Sequence, residues 1–383
     1  MSWNFVEHFS LLGSVTVGFI VPFLFVLTII VFFHELGHFL IARWCGIKVL
    51  AFSIGFGPEI VGFNDRHGTR WKISAIPLGG YVKFLGDDSV ASNPDQDALA
   101  TMSEADRRVS FFHQSVAKRM AVVVAGPIAN FILAIAIFAA LFMTFGKQDI
   151  AARVGGVEPD SAAAAAGFHA GDLVLSINGR PIESFLDMKS IVTMNADVPL
   201  DVLVERAGAK LTLHATPRLT KEKDVFGEVH SVGLLGVRPS KDPEDLRTTK
   251  FSPPGAVWEA TRQIWFVIDQ TFAYISKLLV GHASTDEIGG VIRIAKLSGE
   301  AASMGFSSLM NLAAVISVSI GLLNLFPIPL LDGGHLLFYA IEAARGRPVS
   351  ERIQEFGYRI GLAIIVMLMI FTVWNDLAHF GAS

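Results

Sequence analysis

LLGSVTVGFIVPFLFVLTIIVFF, Leu11 to Phe33, runs for 23 residues without a charge and then meets His34-Glu35-Leu36-Gly37-His38. A helix crosses a hydrocarbon core of about 30 Å in about 20 residues, so the run is long enough to span a membrane. Apolar character resumes after His38 as far as Ala42. Two imidazoles and a carboxylate beside such a run are costly, and ionisable groups in that setting are by default functional.

The rest of the chain agrees with a membrane protein. Of 383 residues, 52% are hydrophobic and 17% charged, and the mean hydropathy is +0.50, which is unusual for a soluble fold. Met120 to Phe145 and Asn311 to Leu331 are further uncharged runs, and Phe356 to Trp374 is a fourth that holds Arg359 near its start, where a long side chain can snorkel. The reading sets four spans at about 15–42, 120–145, 307–331 and 356–375. The first lacks the basic start of a signal peptide and exceeds the usual apolar length, so it is expected in the mature protein. The net charge of -4 is small for this length and Lys and Arg form no long basic run, so nothing calls for a nucleic-acid partner. Cys45 is the only cysteine, so no internal disulfide forms and the compartment stays undetermined by cysteine usage.

Orientation follows from Lys and Arg. None precedes Arg43 and none follows Arg359, whereas Arg43 to Arg119 holds ten and the link before the last span holds Arg345, Arg347 and Arg352. The positive-inside rule therefore places these two connections in the cytoplasm and both termini outside, together with the long segment from about Gly146 to Met310.

Within that outer segment, residues 151–220 read as a small α+β module. Asp160-Ser161 can cap the alanine-rich helix that follows, Gly167 or Gly171 can end it, Leu173 to Ile177 alternates as a strand, and Asn178-Gly179 signals a tight turn. Residues 221–254, charged and rich in breakers, suit a linker. In 255–300, Trp258, Ile264, Trp265, Ile268, Phe272, Ile275 and Leu279 recur at helical spacing with Glu259, Arg262, Asp269 and Lys277 among them. An amphipathic helix on the outer membrane surface and a helix packed on the module both fit that pattern.

His34, Glu35 and His38 match H-E-x-x-H. Positions four apart share one helix face, so both imidazoles reach one Zn²⁺ while Glu35 faces the metal's water. Zinc brings that water's pKa toward neutrality, and Glu35 then takes its proton and returns it to the leaving amine. A catalytic site needs a third protein ligand and an open position. Asp332 is the best candidate, directly after the third span in NLFPIPLLDGG, where Pro327 and Pro329 must break the helix and free backbone groups that only a cavity or enclosing protein tolerates. Set against this are a buried polar cluster satisfied by neighbouring helices and, for Asp332, a simple helix cap. His335, His67 and His113 are rival ligands with weaker context, read as structural or solvent-facing.

Together these residues resemble the site-2 protease family of intramembrane metalloproteases, within it the bacterial RseP (regulator of sigma-E protease) type. The resemblance covers nearly the whole chain: HELGH, FSIGFGPEI, PLGGYVKFLGD, GPIAN, DSAAAAAGFHAGDLVLSINGRPI and NLFPIPLLDGGHLLF, in that order. It implies a polytopic α-helical membrane protein with four transmembrane helices, a small membrane-associated β-element at about 50–85 and an inserted PDZ-like domain. It also implies His34, His38 and Asp332 as zinc ligands and Glu35 as catalytic base. Asn324 would hold substrate near the metal, and Gly126, Pro127 and Asn130 would form a close-packing, substrate-facing patch. By the same resemblance the chain sits in a bacterial inner membrane with its PDZ-like domain periplasmic, and it carries out regulated intramembrane proteolysis. Its substrate would be a single-pass anti-sigma factor already trimmed outside, or a remnant signal peptide. Some members carry two PDZ modules, whereas this chain has room for one clear copy.

Cutting a transmembrane helix requires local unwinding and new partners for the freed backbone groups. Arg70 to Ile76 alternates before Pro77 and Gly79-Gly80, and the reading makes this a strand to which substrate adds, with Gly79 and Gly80 among the substrate-binding residues; an ordinary hairpin is the bland alternative. The PDZ-like module would either capture a fresh peptide C-terminus or exclude substrates with bulky outer domains. A non-catalytic scaffold or transporter explains buried Glu35 and Asp332 but leaves the two-histidine spacing accidental, and a soluble zinc peptidase leaves four apolar spans without a use.

Overall fold

The computed structural model describes residues 16–87, 101–223, 229–279 and 289–380; Leu11 to Val15, the start of the first apolar run, lies outside them. In chain order the elements are α1 (Val21–Trp44, after a π-helical turn at Thr16–Ile20), β1 (Val49–Asn64), β2 (Arg70–Phe84), α2 (Glu104–Val109), α3 (Val116–Thr144), β3 (Lys147–Ile150), β4 (Val154–Val157), α4 (Ala162–Ala165), β5 (Leu173–Ile177), β6 (Arg180–Pro181), α5 (Phe185–Met194), β7 (Leu200–Arg206), β8 (Ala209–Ala215), β9 (Arg218–Lys223), β10 (Val229–Leu234), β11 (Val237–Pro239), β12 (Leu246–Thr249), α6 (Pro253–Leu279), α7 (Val291–Met304), α8 (Phe306–Leu325), α9 (Asp332–Arg345) and α10 (Glu351–Phe380). They fall into two compact units.

Among the described residues four helices are long and apolar enough to cross a membrane: Val17–Trp44, Val116–Thr144, Phe306–Leu325 and Arg352–Asp376. The third ends six residues earlier than the sequence suggests. Phe326, the residue before Pro327, is extended (φ -65°, ψ 143°), as the proline ring requires of its predecessor, and Phe326 to Leu331 carries the chain to α9 without helix. Contacts between these helices are made by small residues, which lets backbones approach closely. A Cβ on Gly37 would strike the Ala125 carbonyl, one on Gly299 of α7 would strike Gly18 and Phe19, and one on Gly321 of α8 would lie 3.1 Å from the Pro127 carbonyl oxygen.

β1 and β2 form a strongly bent sheet against α1. Gly55 (φ +87°) and Gly57 (φ +84°) turn β1, and the register shows the consequence: Phe52 lies opposite both Val82 and Trp71, and Ile73 opposite both Ile54 and Val61. Trp71 to Ile73 is thus paired on both flanks, whereas Gly80 to Phe84 has β1 on one flank and no strand on the other among the described residues. Of the expected substrate-accepting strand at Arg70–Ile76, Arg70 to Ile73 is interior; the open edge is the other half of β2. Phe39, Phe52, Phe84, Phe111 and Val122 form the buried core behind the sheet. Asp65 ties the distal turn back: it accepts from the His67 and Thr69 backbone N–H groups and, at 2.6 Å, from Arg43 Nη1.

The second unit contains a four-stranded antiparallel sheet ordered β6-β5-β7-β8. Ser161 caps α4, and Ser184 with Asp187 makes a reciprocal capping box on α5. Asn178 (φ +49°) and Gly179 (φ +78°) form the turn between β5 and β6. The core is Val154, Phe168, Val174, Ile177, Met188, Leu200, Val202 and Val204. The stretch expected as a linker is folded into this unit: β11 pairs with β4, β12 with β3, and β9 with β10. Short edge strands carry charge because one flank faces water, and that composition imitates a linker. On α6, Ala256, Ala260 and Ile264 are buried while Trp258, Trp265 and Phe272, seven residues apart, are exposed.

Candidate metal centre and active site

His34 and His38 stand on one face of α1 with ring centroids 4.8 Å apart and nearly perpendicular planes, and their Nε2 atoms are 3.2 Å apart. Asp332, the first residue of α9, brings Oδ2 to 3.2 Å from His34 Nε2 and 3.5 Å from His38 Nε2. Three donor atoms of the types that hold a metal therefore converge, and Asp332 Oδ2 is buried without a hydrogen-bond donor. Four ligands about 2.0–2.1 Å from a zinc ion stand at corners about 3.3–3.4 Å apart. The three observed separations match one face of such a tetrahedron, so the donor set fits zinc with a fourth position open.

The outer nitrogens settle the tautomers. His38 Nδ1 is 2.8 Å from the Val122 carbonyl oxygen, which only accepts, so Nδ1 carries the proton and Nε2 presents its lone pair inward. His34 Nδ1 is 3.2 Å from the Asn130 amide, and the Asn130 Oδ1 is buried without a donor. Turning the amide by a half-rotation lets His34 Nδ1–H donate to that oxygen and satisfies both groups. Asn130 is fully buried, and Ser317 Oγ donates to its carbonyl oxygen at 2.9 Å. It has no surface to offer a substrate, so the substrate-facing role expected for it is replaced by a place behind His34.

Backbone packing delivers these groups. A Cβ at Gly126 of α3 would fall on His38 Nε2 and 2.9 Å from His34 Cε1, so only glycine leaves room for the rings. The broken segment holds Asp332 in the same way: a Cβ on Gly333 would strike the Phe326 carbonyl, and one on Gly334 would lie 2.5 Å from the Ile328 oxygen. Leu330 adopts φ +81°, a conformation costly for a bulky residue, and it lines the site.

Around the ligands lies a cavity of about 210 Å³ whose walls include Glu35, Gly80, Val82, Asn324, His335 and Tyr339. Glu35 shares the cavity wall with Val82, and a Cβ on Gly80 would lie 3.1 Å from Glu35 Cγ. The open edge of β2 thus runs beside the base. Gly79 does not reach the cavity; it is packed on the Phe56 ring, a Cβ there falling 2.5 Å from Cε2. His67 sits in the exposed β1–β2 turn and His113 beside Ser110, both away from the donor set, while His335 is in the cavity. Arg119 of α3 makes a 2.6 Å ion pair with Glu342 of α9 and lies 4.7 Å from the centroid of the Tyr339 ring, joining the helix of Asn130 to the helix of Asp332. Nothing in the local pattern around Arg119, Glu342 or Leu330 announces these roles. Just past β2, Asp87 Oδ2 accepts from the Phe84 N–H at 2.6 Å, and Oδ1 has no donor; burial pushes its carboxyl up to about 7.

Three side chains that could hold a metal, two on a membrane-length helix and one at the start of α9, give a donor set of the metallopeptidase class. The model of peptidase family M50 matches residues 22–368, and the chain belongs to that family. Relatives from Rhizobium meliloti and Agrobacterium fabrum, both carrying a provisional name as zinc metalloproteases, are each 49% identical over 93% and 94% of this chain and 95% and 96% of their own. Metalloprotease MmpA of Caulobacter vibrioides is 41% identical over 95% of this chain and 97% of its own. Among solved structures, the PDZ domain of an SdrC-like protein from Listeria monocytogenes matches 23% of this chain and 84% of its own, with 22% identity and a TM-score of 0.19.

Proposed function

We propose that this chain is an intramembrane zinc metalloendopeptidase that cuts single-pass membrane proteins, with His34, His38 and Asp332 holding the metal and Glu35 as general base. The observation that carries the reading is the convergence of three metal-donor atoms, 3.2 to 3.5 Å apart, two from a helix of membrane length and composition and one from the first residue of α9. Zinc bound there lowers the pKa of water toward neutrality and polarises the scissile carbonyl.

The chain's own residues do the rest. Glu35 takes a proton as the water oxygen bonds to the carbonyl carbon, the carbonyl electron pair moves onto its oxygen, and the proton then passes to the amine as the C–N bond breaks. Val122 and Asn130 hold the two histidine tautomers. Substrate, unwound from its helix, pairs its backbone along Gly80 to Phe84, the flank of β2 that lies open beside Glu35, and Asn324 on the cavity wall steadies it near the metal.

The substrate class that suits this arrangement is an anti-sigma factor already shortened outside, or a signal-peptide remnant. The bacterial relatives support an inner membrane, and Lys and Arg placement supports both termini and the second unit in the periplasm. The second unit, with its capped α5 beside an antiparallel sheet, is read as a PDZ-like module that binds a peptide C-terminus or screens substrate size. The exposed row of Trp258, Trp265 and Phe272 supports α6 lying on the outer leaflet.

The deciding experiment uses the purified full chain in detergent. One zinc per chain that persists in Glu35→Gln, with turnover of a single-pass substrate abolished, supports the reading. Zinc that persists in the paired variant His34→Ala/His38→Ala, or turnover that survives Glu35→Gln, overturns it.

A further inference from the structure

The metal donors and Glu35 account for the attacking water but leave one wall of the cavity without a task. His335 lies one turn beyond Asp332 on α9, so the two share a helix face, and its ring lines the cavity that holds His34, Glu35, His38 and Asp332. It is not one of the three converging donors. Its Nδ1 is 3.4 Å from the hydroxyl of Tyr358 on α10, and its ring packs 5.6 Å from the Tyr358 ring, centroid to centroid. Its Nε2 has no hydrogen-bond partner among the described residues.

The Tyr358 hydroxyl likewise has no other partner among those residues. We assign Tyr358 as the donor and His335 Nδ1 as the acceptor of this 3.4 Å contact. The ring's own proton is then on Nε2, the nitrogen for which no hydrogen bond is seen among the described residues. A neutral N–H donor held beside the reacting groups is the equipment that stabilises charge as it develops on a carbonyl oxygen.

We propose that His335 is a catalytic residue of this site, its Nε2–H donating a hydrogen bond to the oxygen of the scissile peptide as that oxygen turns tetrahedral and negative, with Tyr358 as the positioning residue that fixes its tautomer. This rests on the peptidase reading above. No proton is transferred by His335: the carbonyl π pair moves to oxygen when the water oxygen bonds to carbon and returns when the C–N bond breaks, while the proton taken from water travels through Glu35 to the amine.

The test uses the full chain in detergent and a model single-pass substrate whose cleavage site is mapped by mass spectrometry. Two inhibitors built on that site serve as probes: a phosphinic peptide that mimics the tetrahedral species and a hydroxamate that mainly grips the metal. His335→Gln is expected to keep one zinc per chain and a KM within about threefold, and to lose about 10²–10³-fold in kcat. Phosphinic-peptide affinity should fall with it while hydroxamate affinity holds. Tyr358→Phe, which removes only a hydroxyl, should show the same split at about tenfold, and it decides the matter if His335→Gln does not fold. A kcat within threefold of wild type, loss of zinc, or equal weakening of both inhibitors overturns the proposal. Glu35→Gln run alongside separates the two levels: if it is inactive with zinc bound while the His335 and Tyr358 variants behave as wild type, only the role of His335 falls.

Discussion

Adding one methyl group at Gly126 tests whether the metal centre is set by helix contact. The new Cβ would lie 2.9 Å from His34 Cε1 and nearer still to His38 Nε2. Carbon atoms rest about 3.5–4.0 Å apart, so the His34 ring must retreat by about 0.6 Å or more. The His38 ring is pinned by its 2.8 Å bond to Val122 and must move farther or break that bond. Zinc sites tolerate about 0.2 Å of error in ligand distance, so the displacement exceeds what the site can absorb. The helix itself gains, since alanine is favoured over glycine in a helix interior by about 0.8–1 kcal/mol, and general unfolding is not expected. Gly126→Ala should therefore fold, with zinc affinity lower by about 10–100-fold or more and turnover falling with it. Competition against a chromophoric chelator measures the affinity, and Gly18→Ala, whose Cβ would meet nothing within 4 Å, is the control. Unchanged zinc affinity in Gly126→Ala would refute the argument.

Asn130→Ala should lower zinc affinity by about 10–100-fold through the loss of its bond to His34, in the same chelator assay, whereas a substrate-facing role predicts a raised KM with zinc unchanged. For Asp87, the folded pKa of about 7 lies above the ordinary carboxylate value, so its contribution is fully present below that ordinary value and is lost as pH rises through about 7, a change on the order of a few kcal/mol. Asp87→Asn should accordingly unfold at a higher temperature than wild type at pH 8 and show a flatter pH dependence between pH 5 and 8; parallel thermal profiles would contradict this. If substrate pairs with the open edge of β2, replacing single substrate amides near the cut by esters should reduce kcat/KM by about threefold to tenfold per lost bond at alternate positions only, and a uniform response along the substrate would dismiss the pairing.

Much of the centre is legible in the sequence because its signals are local. His34 and His38 are joined by helical period, and Asp332 is marked by two prolines that must end a helix at depth. The same kind of reading fails where an answer depends on distant partners. Alternation along Arg70 to Ile76 reports the two faces of a strand and not its flanks, so nothing in the pattern says that Gly55 and Gly57 fold β1 back to cover the second flank of Arg70 to Ile73. Asn130 and His34 meet across 96 positions, and an asparagine in an apolar run looks the same whether it faces a substrate or a ligand's outer nitrogen. The charged stretch 221–254 has short strands whose partners, β3 and β4, lie about a hundred positions earlier in the chain.

The glycine contacts also have a practical meaning for redesign. Rings, carboxylate and broken segment are seated against bare backbone at Gly126, Gly333 and Gly334, so there is no pliable side chain there to soak up a change. An engineer wishing to retarget this peptidase should leave those helices alone and vary Lys83, the residue of Gly80 to Phe84 that does not line the cavity.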